Sequence, residues 1–164
     1  MKKKSSPGSV DLSIKARQCA FRLLKFRLRS EDEIRQRLKR KKIPADIIEQ
    51  TLSFLKEKEF LDDGIFARLW LQSRLRRRMG FKRIIRELKD KGISPDIIQR
   101  STGEIKKEYS EEKVVFDLAR ERMDKLKNVE KGKARQRLYA WLMRRGFSPE
   151  IVFDVVNKIC KPII

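Results

Sequence analysis

The feature that most constrains this chain is a motif that returns three times. Leu38-Lys39-Arg40-Lys41-Lys42-Ile43-Pro44-Ala45-Asp46-Ile47-Ile48 is matched by Leu88-Lys89-Asp90-Lys91-Gly92-Ile93-Ser94-Pro95-Asp96-Ile97-Ile98, and again by Leu142-Met143-Arg144-Arg145-Gly146-Phe147-Ser148-Pro149-Glu150-Ile151-Val152. The offsets, Leu38 to Leu88 and Leu88 to Leu142, are 50 and 54 residues, so three such units nearly fill the 164 residues. A fixed period of this size marks a tandem array in which each repeat is one supersecondary module. A module of about 50 residues buries little surface alone and must borrow surface from its neighbours. The expected fold is therefore all-α, three tandem three-helix repeats forming an elongated, curved array, and a large multidomain enzyme is excluded by length.

The motif has the chemistry of a helix, a tight turn and a second helix. Gly92 and Gly146 stand where a helix C-terminus favours a left-handed residue, Ile93 and Phe147 follow as apolar plugs, and Ser94 or Ser148 caps a helix with Pro at its first position. Lys42 replaces the glycine in the first repeat, which should cost about 1 kcal/mol at positive φ and leave a looser turn. In the first repeat, Phe21, Leu24 and Leu28 share one helical face starting from Ile14. Ser30 and Glu33 form a capping box before Ile34 and Leu38, and Ile48, Leu52 and Leu55 mark a third helix. In the second, Asp62 caps a helix bearing Ile65, Phe66, Leu69 and Trp70. Phe81, Ile84, Ile85 and Leu88 form the next, and the one after is the weakest because Ser101-Thr102-Gly103 interrupts it. In the third, Ser110 caps Val114, Val115, Leu118, Ala119 and Met123, and later helices carry Leu138, Trp141, Leu142, then Val152, Val155, Val156 and Ile159. The expected organisation is a disordered basic arm over 1–12 and repeats over 13–61, 62–109 and 110–160. The polar joint Lys107-Glu108-Tyr109-Ser110 is the candidate hinge.

Composition then limits function. With 43 Lys and Arg against 23 Asp and Glu the formal charge is +20, a surface that gathers polyanions or acidic protein faces. No apolar run approaches the ~18 residues of a membrane span. Met1-Lys2-Lys3-Lys4 leads into Ser5-Ser6-Pro7-Gly8-Ser9 and not into a signal-peptide core, so a cytoplasmic location is expected. Cys19 and Cys160 lie in apolar-periodic segments and suit buried reduced thiols. The chain has no histidine, no GxxxxGK[ST] phosphate loop and no metal-ligand spacing. Its acid clusters, Glu31-Asp32-Glu33, Asp62-Asp63 and Glu111-Glu112, all fall at expected helix N-termini, where the macrodipole accounts for them. No enzyme, cofactor or metal is expected.

What remains is arranged positive charge. Arg74 to Lys91 holds nine Lys/Arg and two acids, and Lys15 to Lys42 twelve against three. Lys82, Arg86 and Lys89 fall on one helical face, away from Ile84, Ile85 and Leu88, while Arg74, Arg77 and Arg78 extend the basic surface from the preceding helix. With Arg83, and with Arg35 and Lys39 in the first repeat and Arg135 and Arg144 in the third, these are the candidate binding residues. Arg dominates the central stripe, and solubility alone does not require clustered like charges. Lys41, Lys91 and Arg145 end equivalent helices and are read as stabilising those C-termini. Trp70, Trp141 and Tyr139 sit among aliphatic residues and are read as core.

Leu61-Asp62-Asp63-Gly64-Ile65-Phe66-Ala67, Arg74, Gly80, Arg83-Ile84 and Glu87-Leu88-Lys89-Asp90-Lys91-Gly92-Ile93 closely resemble the middle repeat of the RecX family, bacterial regulators of the RecA recombinase. Ala20-Phe21-Arg22-Leu23-Leu24 and Arg29-Ser30-Glu31-Asp32-Glu33-Ile34 resemble the family's opening repeat, and the resemblance spans about residues 14–160. It implies a non-enzymatic protein that binds the RecA filament on single-stranded DNA, along its helical groove, and suppresses filament growth, ATP hydrolysis and strand exchange; a monomer is expected. The charge alone fits a second reading equally well, a general DNA-binding protein whose helix-turn-helix-like junctions dock on DNA directly.

Overall fold

The computed structural model describes residues 7–160. Among them are nine α-helices and no strand: α1 (Pro7–Phe26), α2 (Glu31–Arg40), α3 (Ala45–Glu57), α4 (Asp63–Arg76), α5 (Phe81–Asp90), α6 (Pro95–Lys106), α7 (Glu111–Asp124), α8 (Lys131–Arg144) and α9 (Pro149–Cys160). They form three tandem sets of three. α1 begins at Pro7 and not at Ile14, because Leu12 already packs on the first core and prolongs the helix backwards. Of the arm expected over 1–12, residues 1–6 lie outside the described residues.

The local signals act as read. Ser30 accepts from the Glu33 N–H while Glu33 accepts from the Ser30 N–H, completing the capping box. Asp62 Oδ1 takes the Ile65 N–H at 2.9 Å and Ser110 the Lys113 N–H at 3.3 Å. Ser94 and Ser148 each accept at 3.4 Å from the amide three residues on. Two expectations are corrected. The Lys42 turn is not loose: Lys42 takes φ 59, its N–H reaches Lys39 O at 2.8 Å, and the Ile43 N–H reaches Leu38 O at 3.2 Å. These are the two bonds that close a left-handed helix end, and Glu59 and Arg78 (φ 58 and 52) close α3 and α4 in the same way. Nor is α6 broken. Thr102 Oγ1 donates to Ile98 O at 2.8 Å, so the hydroxyl is satisfied inside the helix it was expected to interrupt.

The chain divides into two compact units, one of residues up to Leu69 with Lys89–Ile97, the other of Trp70–Leu88 with Ile98 onward, so α4, α5 and α6 each contribute to both. In the first unit α1, α2 and α3 pack together around Ala16, Ala20, Ile34, Leu38, Ile48, Leu52 and Leu55. In the second, α7, α8 and α9 surround Val115, Ala119, Leu138, Leu142, Phe147, Val152 and Val155. Ala16 and Ala20 on α1, and Ala119 on α7, are the fully buried small residues of these two cores.

Inside each unit the same device joins one repeat to the next. In the first, the turn after α5 sits on the N-terminus of α2. Ser30 Oγ donates to Lys91 O at 2.7 Å, Lys91 Nζ meets Glu33 Oε1 at 2.8 Å, and Asp63 Oδ1 accepts the Glu31 N–H at 2.8 Å. In the second, the turn after α8 sits on the N-terminus of α5. The Gly80 N–H reaches Arg145 O at 2.9 Å, the Lys82 N–H reaches Gly146 O at 3.1 Å, and Glu111 Oε1 accepts the Phe81 N–H at 2.9 Å. Orphan amides at a helix start are thus satisfied by the following repeat. Burial raises the pKa of both Asp63 and Glu111, only partly offset by the amides they accept.

The glycines meet two demands here. Gly92 (φ 74) and Gly146 (φ 84) are left-handed, and a Cβ on them would fall 2.4 Å from Asp32 Cβ and 2.2 Å from Arg83 Cβ. Lys42 takes the same left-handed conformation at the equivalent position with its side chain in place and exposed, so there the turn is closed without glycine.

Candidate functional site

α5 is sharply two-faced. Phe81, Ile84 and Leu88 are buried, while Lys82, Arg86 and Lys89 are exposed on the opposite side. Arg77 and Arg78 follow the end of α4, also exposed. Among the described residues Arg77, Lys82, Arg86 and Lys89 have no carboxylate within ion-pair distance. Lys82 acts on Glu111 and Glu150 only through space. Arg78 Nη1 pairs with Glu121 Oε1 at 2.7 Å on the open surface, where solvent screening leaves such a pair weak.

Two members of the expected stripe are turned inward. Arg74 Nε meets Glu87 Oε2 at 2.6 Å and its guanidinium lies 4.0 Å over the Trp70 ring, whose Nε1 donates to the same oxygen at 3.1 Å. Arg83 Nε meets Glu87 Oε1 at 3.0 Å, and Arg83 Nη1 reaches Arg144 O at 3.4 Å. Burial pushes the Glu87 carboxyl up, but the hydrogen bonds from Arg74, Arg83 and Trp70 outweigh it and hold it below the usual range. Glu87 thus organises two guanidinia and an indole that hold α4 to α5. Trp70 is half-buried beneath Arg74, and Trp141, also half-buried, has Arg145 at 5.0 Å and Arg122 at 5.4 Å from its ring.

Arg145 belongs to this region although its position at the end of α8 suggested service to its own helix. Its Nη2 donates to Arg77 O at 2.6 Å and its Nε to Arg78 O at 3.1 Å, capping the carbonyl end of α4. Burial, and then the charges of Arg83 and Arg78, lower its pKa. A half-buried guanidinium set among like charges fixes the backbone that presents Arg77 and Arg78. The sequence signal was the alignment of Arg145 with Lys91, which also reaches outside its own helix, to Glu33.

The outlying candidates divide similarly. In the first unit Arg35 is engaged by Glu31 at 2.6 Å and by Glu49, whereas Lys39 is exposed with no ion pair. In the second, Arg135 donates to Asn157 Oδ1, and Arg144 is exposed with no ion pair among the described residues. The expected hinge is tied down. Tyr109 packs edge-on to Phe81 at 5.5 Å, its N–H bonds Ile105 O at 3.0 Å, and Glu111 holds the Phe81 amide.

Among the described residues no group of three or more His, Cys, Asp or Glu could hold a metal ion, and no helix is long and apolar enough to cross a membrane. Cys19 and Cys160 are free and half-buried, and burial pushes the Cys160 thiol up.

The fold defines the class, an all-α protein of three tandem three-helix domains. The sequence supplies the family. Models of the RecX first, second and third three-helix domains match in order, over residues 16–55, 62–101 and 110–156, and the chain belongs to the RecX family of regulatory proteins. It is 33% identical over 146 residues to the regulatory protein RecX of Amycolatopsis mediterranei strain U-32, covering 88% of this chain and 82% of that one. It is 30% identical over 148 residues to RecX of Clostridium beijerinckii, covering 89% and 68%. The crystal structure of RecX from Lactobacillus salivarius superposes with a TM-score of 0.77 at 19% identity, covering 92% and 97%, which shows the shared fold.

Proposed function

We propose that this chain regulates the RecA recombinase, binding the RecA filament on single-stranded DNA and inhibiting its ATPase, its extension and strand exchange. It does so as a cytoplasmic monomer, without catalysis or cofactor of its own. Arg77, Lys82 and Arg86, with Lys89, form the principal contact surface, and Lys39 and Arg144 add further contacts. Membership of a regulatory family supports the target. The observation that carries the surface is the row of exposed cations without ion pairs on α5 and the preceding turn, backed by Arg145. Such groups stay hydrated in the free protein and remain available to carboxylates or phosphates.

The test is a titration of RecA's DNA-dependent ATPase. Substoichiometric parent protein should suppress it, and replacing Arg77, Lys82 and Arg86 together by Ala should weaken suppression at least about tenfold if each contact contributes about 0.5–1 kcal/mol. The thermal midpoint should stay put, since exposed charges contribute little to folding. Unchanged ATPase at saturating protein would refute the reading. The +20 charge supports a second reading, direct DNA binding; that would show as RecA-independent affinity for duplex DNA falling with salt at a log–log slope of about −0.9 per phosphate.

A further inference from the structure

The first repeat exposes a cluster of aromatic rings beside cations. Phe21 on α1 meets Phe60 edge-on at 5.1 Å and Phe54 of α3 edge-on at 6.4 Å. Phe21 is 37% exposed and Phe60 52%. The Arg17 guanidinium lies 4.0 Å over the Phe54 ring. On α1, Arg17, Phe21 and Lys25 succeed one another at i, i+4 and i+8, so cation, ring and cation lie along one face. From Lys15 to Arg27 there are five basic residues and no acid. Arg17, Arg22 and Lys25 have no ion pair among the described residues.

Phenylalanine rings left open on a folded surface mark a contact site, and the basic face of α1 beside them selects the occupant. An apolar protein face would have to desolvate Arg17, Arg22 and Lys25 without neutralising them, which is unfavourable. A duplex offers phosphates but keeps its base faces stacked inside. Single-stranded nucleic acid offers both chemistries at once, phosphates for the cations and free base faces for the rings. Phe has no polar atom, so recognition would not depend on base identity or on the 2′-hydroxyl.

We propose that Phe21 and Phe60, edged by Arg17 and Lys25, form a base-stacking site for single-stranded nucleic acid. It shares no residue with the α5 surface and is independent of RecA. The test is fluorescence anisotropy of a labelled oligothymidylate, without RecA, for the parent and for the Phe21→Ala/Phe60→Ala double variant. A stacked base is worth about 5- to 150-fold in affinity, so the double variant should lose roughly that factor. An abasic strand of equal length should bind the parent as weakly as oligothymidylate binds the variant. An oligouridylate should match oligothymidylate, which distinguishes a general single-strand site from a DNA-specific one. Phe60→Ser alone, at the more exposed ring, provides the same comparison if the double variant loses its helical circular dichroism. Equal binding of the abasic and normal strands overturns the proposal. So does unchanged binding by the variants, including a variant that loses only RecA inhibition, which would make the patch a protein-docking face. Since RecA is absent from the binding assay, failure here leaves the ATPase reading standing.

Discussion

Gly146→Ala is the most informative single substitution, because two independent demands meet at that residue. The first is conformational: Gly146 has φ 84, and a Cβ in the left-handed region costs about 1–2 kcal/mol. The second is steric. The new Cβ would lie 2.2 Å from Arg83 Cβ, 2.6 Å from Arg83 N and 2.9 Å from Arg83 Cα, and none of these is the far end of a flexible side chain. Ordinary contact needs a separation of about 3.5–4 Å, so the turn after α8 must withdraw from α5 by about an ångström. That breaks or stretches the bonds from Gly80 N–H to Arg145 O and from Lys82 N–H to Gly146 O. At about 0.5–1.5 kcal/mol each, the two bonds and the backbone strain together predict a loss of about 2–5 kcal/mol. The internal control is Lys42→Gly. Lys42 carries the conformational strain with its side chain already accommodated and exposed, so glycine should stabilise by up to about 1 kcal/mol. The assay is urea unfolding followed by circular dichroism, comparing midpoints. A Gly146→Ala midpoint indistinguishable from the parent's would refute the docking account, and a loss no greater than the left-handed penalty would leave only its conformational half.

Two further predictions concern stability. Burial pushes the Glu33 carboxyl up, but the hydrogen bonds and charges of Arg27 and Lys91 outweigh it and hold it down to about 2 from 4.5. A depressed acid contributes stability above its unfolded pKa and loses it as the pH falls from about 4.5 towards 2, worth at most about 3 kcal/mol and less because Arg27 is 43% exposed to screening solvent. Unfolding midpoints should therefore drop over that window, and Glu33→Gln should flatten the profile. Asp63 and Glu111, raised by burial, act in the opposite sense and are stabilising when protonated, so any slope left in the variant should be shallower or reversed. At Gly103, exposed on α6 with nothing within 4 Å of a Cβ, Gly103→Ala should raise the thermal midpoint, gaining about 0.5–1 kcal/mol. An unchanged or lower midpoint would count against a continuous α6.

The helices were legible in the sequence because their signals are local. A capping serine and its glutamate lie three residues apart, an apolar face repeats every three or four, and a left-handed C-terminus is announced by glycine or by the plug that follows. Ser101-Thr102-Gly103 misled for the same reason: propensity counts the weak formers but not the Thr102 hydroxyl returning to Ile98 O on the buried face of the helix. The Tyr109 joint misled too, since its polar composition says nothing of the Phe81 ring against it.

The charge was visible at once, but its division was not. Arg74, Arg83, Arg77 and Arg86 look alike in a string of residues, and what separates them is Glu87, which draws the first two inward and leaves the others in water. By itself the sequence determined the three repeats, their helices and the sign of the surface, all set by periodicity and contacts between near neighbours. Only the tertiary structure decided which cations are available, that Arg145 supports the strand of backbone bearing Arg77 and Arg78, and why Gly92 and Gly146 cannot carry a side chain where Lys42 can. Those outcomes depend on which groups distant in the chain are brought within a few ångströms, and a pairing of that kind is settled by packing.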